Sequence, residues 1–369
     1  MNLLYISPSV LPSKSANSVH VMRMCNAFSN LGIDVELLHK KGIKNYKSNQ
    51  IFDYYGVDNN KFKLNSIILH NNWKINSISY AFKTLYHCLK TNYKNIYSRN
   101  QLCSILILLF SSKRIFIELH APPTGIYRFF FKIFINTKRI RKVFLISEAL
   151  KKIIISDFKL TKTNKIVVSH DGADEINNIK SNINFTKSSF DVGYVGHLYK
   201  GRGIEIILEL AKKNKEIKFH IIGGLEEDIN NWKRKIKSNN IIFYGHVKPK
   251  FVSQYLSKLD LLVAPYKEKV IIPNGLNTAS YMSPLKIFEY MSAKKPILTS
   301  NLPVLREVLT HNLNSYLCDP NKFSDWNEGL RLLKSNSSLS KRISEKAFED
   351  FKNLYTWSSR SKLISKHFE

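Results

Sequence analysis

Acidic side chains are scarce in this chain: 28 Asp and Glu against 57 Lys and Arg leave a formal charge of +29 over 369 residues. That imbalance favours anionic partners, but nucleic acid, anionic lipid and phosphorylated substrates all satisfy it. No RNA- or DNA-binding motif accompanies the charge, which counts against the first. Cysteine is scarce too. Cys25, Cys88, Cys103 and Cys318 lie far apart in apolar surroundings without CxxC spacing, so reduced core thiols are expected rather than a disulfide framework or a zinc site. The longest apolar run, Leu102 to Phe110, falls far short of the roughly 20 residues of a membrane helix. The opening Met1-Asn-Leu-Leu-Tyr-Ile-Ser has no basic n-region or cleavage site, so the expected location is the cytoplasm. Short internal repeats and a low-complexity tail are also missing.

What is present suits two α/β domains, since 369 residues with 44% hydrophobic content can bury two cores. Short apolar strands alternate with helical patterns, the signal of a parallel sheet. Asn2 to Ile6, Val35 to Leu38, Ile67 to Leu69, Ile96 to Ser98, Arg114 to Leu119, Val143 to Ile146 and Ile166 to Val168 read as strands of a first domain. Ser18 to Leu31 reads as a helix ended by Gly32, and 40–65 as a weakly patterned excursion. The loop from Pro8 to Ser18 follows a strand's carboxyl end, where open α/β sheets bind ligands. Its Ser15, Ala16 and Asn17 are either a plain polar run capping the helix through Asn17 or Ser18, or part of a site. A lone histidine is more often structural than catalytic, but His120 follows a strand directly and precedes Pro122-Pro, a placement that points at a cleft.

After a polar stretch from Glu175 to Ser189 the alternation restarts. Asp191 to Gly196 is a strand, and His197-Leu-Tyr-Lys-Gly-Arg-Gly leads into a helix from Ile204 to Lys213. Glycines flanking cations before a helix suit phosphate contact. Lys218 to Ile222, Ile241 to Tyr244 and Leu259 to Ala264 continue the series. Ser283 reads as an N-cap, Pro284 as the first helical turn, and Leu285, Phe288 and Met291 as a core face, with Lys286 and Glu289 together on another face. A strand at Pro296 to Thr299 and a further helix after Asn301-Leu-Pro are expected, then two helices after Asn336. Amides and dipole at a helix start can meet a diphosphate while a carboxylate two turns on meets ribose hydroxyls.

Ser283-Pro-Leu-Lys-Ile-Phe-Glu-Tyr-Met-Ser followed by Lys295-Pro-Ile resembles the donor-site signature of GT-B glycosyltransferases of family 4. The resemblance implies an α/β GT-B fold, two Rossmann-like domains facing across a cleft. It covers nearly the whole chain and is strongest from Asp191 to Leu309. It implies an N-terminal acceptor-binding domain over 1–174, a linker over 175–190, a nucleotide-sugar-binding domain over 191–352 and a C-terminal helix over 353–369 crossing back. It assigns Glu289 to the donor ribose and the backbone of Ser283, Pro284, Leu285 and Lys286 to diphosphate and sugar. Tyr281 stands where the family has its first glutamate. His197 and Arg202 take the places of two phosphate-directed cations, and IELHAPP resembles the family's central histidine, which makes His120 the catalytic candidate.

The implied activity is transfer of a sugar from a UDP- or GDP-type donor to a hydroxyl of a glycan or lipid-linked acceptor, with retention, in cell-surface polysaccharide synthesis. No metal or other cofactor is implied, because Asp-x-Asp is missing. A nucleotide-sugar epimerase or hydrolase, or a basic nucleic-acid-binding protein, are the alternatives. Between Pro123 and Lys165 eleven cations meet two acids, and aromatics interleave with them from Arg128 to Lys142. That stretch reads either as core helix beside a basic turn or as contact with an anionic membrane, which would hold the protein at the membrane's inner face.

Overall fold

The computed structural model describes every residue except 43, 68–72, 177–182, 237 and 273–274, and leaves the side chains of 73–75 undescribed. It divides into two compact units, Met1–His170 with Trp357–Glu369, and Asp171–Thr356.

The first unit is a seven-stranded parallel sheet in the order β3-β2-β1-β4-β5-β6-β7. Its strands are β1 (Asn2–Leu11), β2 (Asp34–Lys41), β3 (Lys63–Ile67), β4 (Asn95–Ser98), β5 (Ile115–Leu119), β6 (Ile140–Leu145) and β7 (Ile166–Val168). Helices α1 (Ala16–Asn30), α2 (Ser48–Tyr55), α3 (Trp73–Lys90), α4 (Gln101–Phe110), α5 (Gly125–Phe134) and α6 (Glu148–Phe158) connect them, and α13 (Trp357–Ser365) packs on α1. Parallel strands covered on both faces need continuous apolar sequence, and every residue of β4 and β5 is buried.

Four expectations change here. β1 runs through Pro8 to Leu11 rather than ending at Ile6, because its pairing with β2 shifts register after Ile6 and resumes at Val10. The helix that follows is capped by neither Asn17 nor Ser18: Ser15 Oγ accepts the Ser18 amide. The excursion over 40–65 contains α2, closed by Gly56 in the left-handed region, and β3. Of the strand expected at Ile67 to Leu69, residues 68 and 69 lie outside the described residues, and β3 ends at Ile67.

The second unit repeats the plan with six parallel strands in the order β10-β9-β8-β11-β12-β13. These are β8 (Asp191–Val195), β9 (Lys218–Ile222), β10 (Ile241–Gly245), β11 (Leu261–Ala264), β12 (Ile297–Ser300) and β13 (Tyr316–Cys318). Helices α7 (Ile204–Lys213), α8 (Glu226–Lys233), α9 (Pro249–Lys258), α10 (Leu285–Ser292), α11 (Phe323–Ser335) and α12 (Ser337–Leu354) surround them. The core joins Ile207 and Leu210 of α7 with Trp326 and Leu330 of α11 and Ile343 of α12. After Asn301-Leu-Pro there is one 3-10 turn, Leu305–Glu307, and not the expected helix. In both units strand order reverses beside the first strand, between β1 and β4 and between β8 and β11, and such switch points leave a crevice at the strands' carboxyl ends.

Candidate functional site

Each switch point gathers the chemistry of its own unit. In the second, β8 and β11 pair only at Val192 and Gly193, so the strands part beyond that point. Tyr290 of α10 fills the opening: its hydroxyl accepts the Val195 amide at 2.8 Å and donates to the Val263 carbonyl at 3.2 Å. This buried bridge fixes α10 across the crevice.

The loop from β8 to α7 is held close to the residues after β11. Gly201 (φ 90°) and Gly203 (φ 73°) adopt left-handed backbone, and a Cβ there would fall 2.1 Å from the Lys269 carbonyl oxygen and 1.7 Å from that of Pro265. Only glycine permits that approach. The result sets Arg202 and Lys286 on one ring: the guanidinium lies 5.3 Å and the amine 5.2 Å from the centre of Tyr266. Arg202 also stacks on Tyr199 and donates to its hydroxyl, while Lys286 Nζ sits 3.6 Å from the centre of Tyr194.

Lys286 is 7% exposed, and its buried amine has no hydrogen-bond partner among the described residues. Burial and then the Arg202 charge hold its pKa well below the usual lysine value, with Glu289 opposing. Burial, Arg202 and Lys286 likewise push His197 down. The site is a buried cationic cluster whose lysine can gain a proton when an anion arrives.

Lys286 is therefore buried although it lies off the Leu285, Phe288 and Met291 face, because α10 is buried on nearly all sides. Ser283 is not the cap. Pro284 takes that place, and Ser283 Oγ accepts the Asp171 amide at 3.1 Å. Leu285 opens the helix half-buried, and Glu289 lies half-buried one turn beyond Lys286. Tyr281 is buried. Sequence reasoning missed Tyr194, Tyr199, Tyr266 and Tyr290; for Tyr194 and Tyr266 the signal was an aromatic at or just beyond a strand end, in Tyr194-Val-Gly and Pro265-Tyr.

In the first unit the hub is Glu118, which sequence reasoning also missed. Fully buried on β5, its carboxylate meets His20 Nε2 of α1 at 3.1 Å, Arg99 Nε at 3.3 Å and Arg360 of α13 at 3.4 Å, and accepts from the Tyr97 hydroxyl. His120, two residues on and so on the same side of the strand, contacts Glu118 and lies 2.6 Å from Arg99 Nη2. Burial alone would raise the Glu118 pKa, but Arg360, Arg99, His20 and His120 together hold it well below the carboxylate range. A charged residue inside the apolar Ile115-Phe-Ile-Glu-Leu was the signal.

His20, Glu118 and His120 bring ligand atoms within 4.8 Å of one another. Two guanidiniums already compensate that carboxylate, and their charge opposes a cation there. Beside His120 lies a cavity of about 320 Å³, lined also by Pro8, Asn17, Arg99 and Tyr127. Asn17 and His120 thus share it. Ser15 is occupied as the helix cap, and Ala16 is exposed.

Residues 175–350 match the family described as Glycosyl transferases group 1. The second unit is a group 1 glycosyl transferase domain. An uncharacterized glycosyltransferase of Methanocaldococcus jannaschii is 23% identical over 233 residues, 62% of this chain and 59% of that protein. One of Haemophilus influenzae is 29% identical over 160 residues, 42% of each. The matches thus span less than two thirds of either relative. Among solved structures, sucrose-phosphate synthase of Thermosynechococcus elongatus superposes with a TM-score of 0.77 at 12% identity over 99% of this chain and 97% of that one. HepE of Anabaena, solved with UDP and glucose, gives 0.72 at 13% over 99% and 98%. At such identity the likeness speaks for architecture, and the architecture is GT-B. In the transferase domain, the Arg202 and Lys286 cluster lies at the sheet's switch point.

Proposed function

We propose that the chain is a glycosyltransferase that moves a sugar from a nucleotide-sugar donor, bound in the transferase domain, to a hydroxyl of a glycan or lipid-linked acceptor. The observation that carries this reading is the unpartnered Lys286 amine, sharing Tyr266 with Arg202 at a switch point. A buried cationic pair of that kind suits a diphosphate: Arg202 engages it bidentately, and Lys286 becomes charged as the dianion binds. Glu289 takes the ribose hydroxyls. When the glycosidic bond to the diphosphate breaks, negative charge grows on the departing oxygens, where both cations stabilise it. Retention of anomeric configuration and a place in cell-surface polysaccharide synthesis follow from the family-4 resemblance. HepE, solved with UDP-glucose, favours a UDP-type donor. The acceptor hydroxyl enters the cavity beside His120, and no metal is required.

The test is product analysis with UDP- and GDP-sugars. A new glycosidic bond of unchanged anomeric configuration is the expected product; free sugar or an isomerised donor alone would overturn transfer. His120→Ala should lower turnover at least about tenfold while donor affinity stays within about twofold, since a group acting on the reacting centre contributes where charge develops. Equal turnover removes His120 from the site.

A further inference from the structure

The first unit carries an apolar surface that nothing in the transfer chemistry uses. On α3, Ile78, Phe82, Tyr86 and Leu89 recur at helical spacing within one narrow stripe, beside the face that buries Ala81, Leu85 and Cys88. On α5, Ile126, Phe129 and Ile133 form a second stripe, opposite the buried Phe131. Leu109 and Phe110 end α4 between them. All nine are 45 to 62% exposed. The β4 to β5 and β5 to β6 crossovers run the same way, which sets α4 and α5 on one face of the sheet, and α3 packs on α4 as α4 does on α5. The three helices therefore form one outward layer. An amphipathic helix normally turns its apolar stripe inward; α3 and α5 are apolar on exposed as well as buried faces.

The charge around this layer is one-sided. From 59 to 147 the sequence has 15 Lys and Arg and a single acid, Glu118, which is buried among its own cations. Helices α3, α4 and α5 contain no acid at all. We propose that the outer face of α3, α4 and α5 docks on an anionic lipid bilayer, its aliphatic and aromatic side chains entering the headgroup boundary while the lysines and arginines around them meet lipid phosphates. A second copy of the chain would set the same cations against each other, and phosphate-rich nucleic acid has no use for a stripe of Ile and Leu. Among the described residues no helix is long and apolar enough to cross a membrane, so the contact is from the side.

Of the cations expected from sequence to make this contact, Lys138 is exposed and the other three have protein partners. Arg139 is spent on the Ser111 and Lys113 carbonyls, Arg141 on Glu369 at 2.7 Å, and Lys142 on the Asn164 carbonyl. The apolar stripes therefore supply the decisive residues. The proposal requires nothing of the donor site and stands or falls apart from it.

Flotation of the full chain with phosphatidylcholine vesicles, with and without phosphatidylglycerol, tests it. The parent should float with the anionic vesicles at low salt, less as salt rises, and poorly with the neutral ones. Phe82→Ser combined with Phe129→Ser and Ile133→Ser replaces only exposed side chains, so thermal melting should stay within a few degrees while vesicle binding falls at least about tenfold. Failure of the parent to float with anionic vesicles, or undiminished flotation of a folded triple variant, overturns the proposal. So does a parent dimer that the triple variant dissociates, which would make the face an interface between copies.

Discussion

Lys286 and Glu289 face opposite demands one turn apart. A buried amine without a partner costs stability, and its lowered pKa gives the sign: between that value and the ordinary 10.5 the unfolded chain binds the proton and the folded one does not. Stability from this group is thus lost as pH falls from 10.5 through the window. Lys286→Met should melt higher at neutral pH, by roughly 1 to 3 kcal/mol, and the gain should shrink as pH approaches 10.5. Calorimetric melts at several pH values check it, and a variant less stable than the parent at pH 7 would mean the amine has a use in the empty protein. Glu289→Ala should instead weaken nucleotide-sugar binding by roughly 1.5 to 3 kcal/mol, the scale of a charged hydrogen-bonding group, and unchanged affinity in titration calorimetry would remove Glu289 from the ribose. The proposal that Lys286 and Arg202 serve the donor starts from SPLKxFE and the glycine-flanked loop; that they meet on Tyr266 was not legible, because no local pattern brings residues so far apart in sequence onto one ring.

At the scale of elements, strands were easiest to read. β7, β9 and α7 have the bounds that their sequence patterns give, since buried parallel strands and strongly amphipathic helices carry their own period. α2, β13 and α11 were not legible: the first is short and lies in a polar stretch, and β13 is three residues long. Glu118 escaped because a lone acid in an apolar strand has meaning only once α1, the residues after β4, and α13 converge on it. Its carboxylate connects them. Glu118→Gln leaves Arg99 and Arg360 buried without their counter-charge and should cost roughly 3 to 5 kcal/mol at neutral pH. Because the Glu118 pKa lies well below 4.5, the stability it contributes is present above that value and lost as pH falls through the lowered one. Denaturant titrations from pH 7 to pH 3 should show the gap between parent and variant closing below pH 4.5, and a gap constant with pH would mean the carboxylate is not the charged hub.

At the scale of the whole molecule, two parallel sheets of the same strand order each spend their switch point on a different cluster. One surrounds a carboxylate with cations and a cavity; the other sets Arg202 and Lys286 on one tyrosine ring, with Glu289 acting on the lysine. The fold was legible because strand and helix alternation survives in sequence, whereas the apolar layer on α3, α4 and α5 was only partly so, since exposure cannot be told from burial in a helix apolar on exposed and buried faces alike. The central claim is that the buried cationic cluster of the transferase domain binds a nucleotide-sugar diphosphate. The most direct measurement is thermal melting of the intact chain with UDP-, GDP- and ADP-sugars, where a ligand at 100 times its Kd stabilises by about 2.7 kcal/mol. The account predicts that a sugar nucleotide of one base, UDP first, raises the melting temperature of the parent, and that Glu289→Ala and Arg202→Ala lose that rise. No shift with any of the three, or an equal shift in both variants, would contradict it.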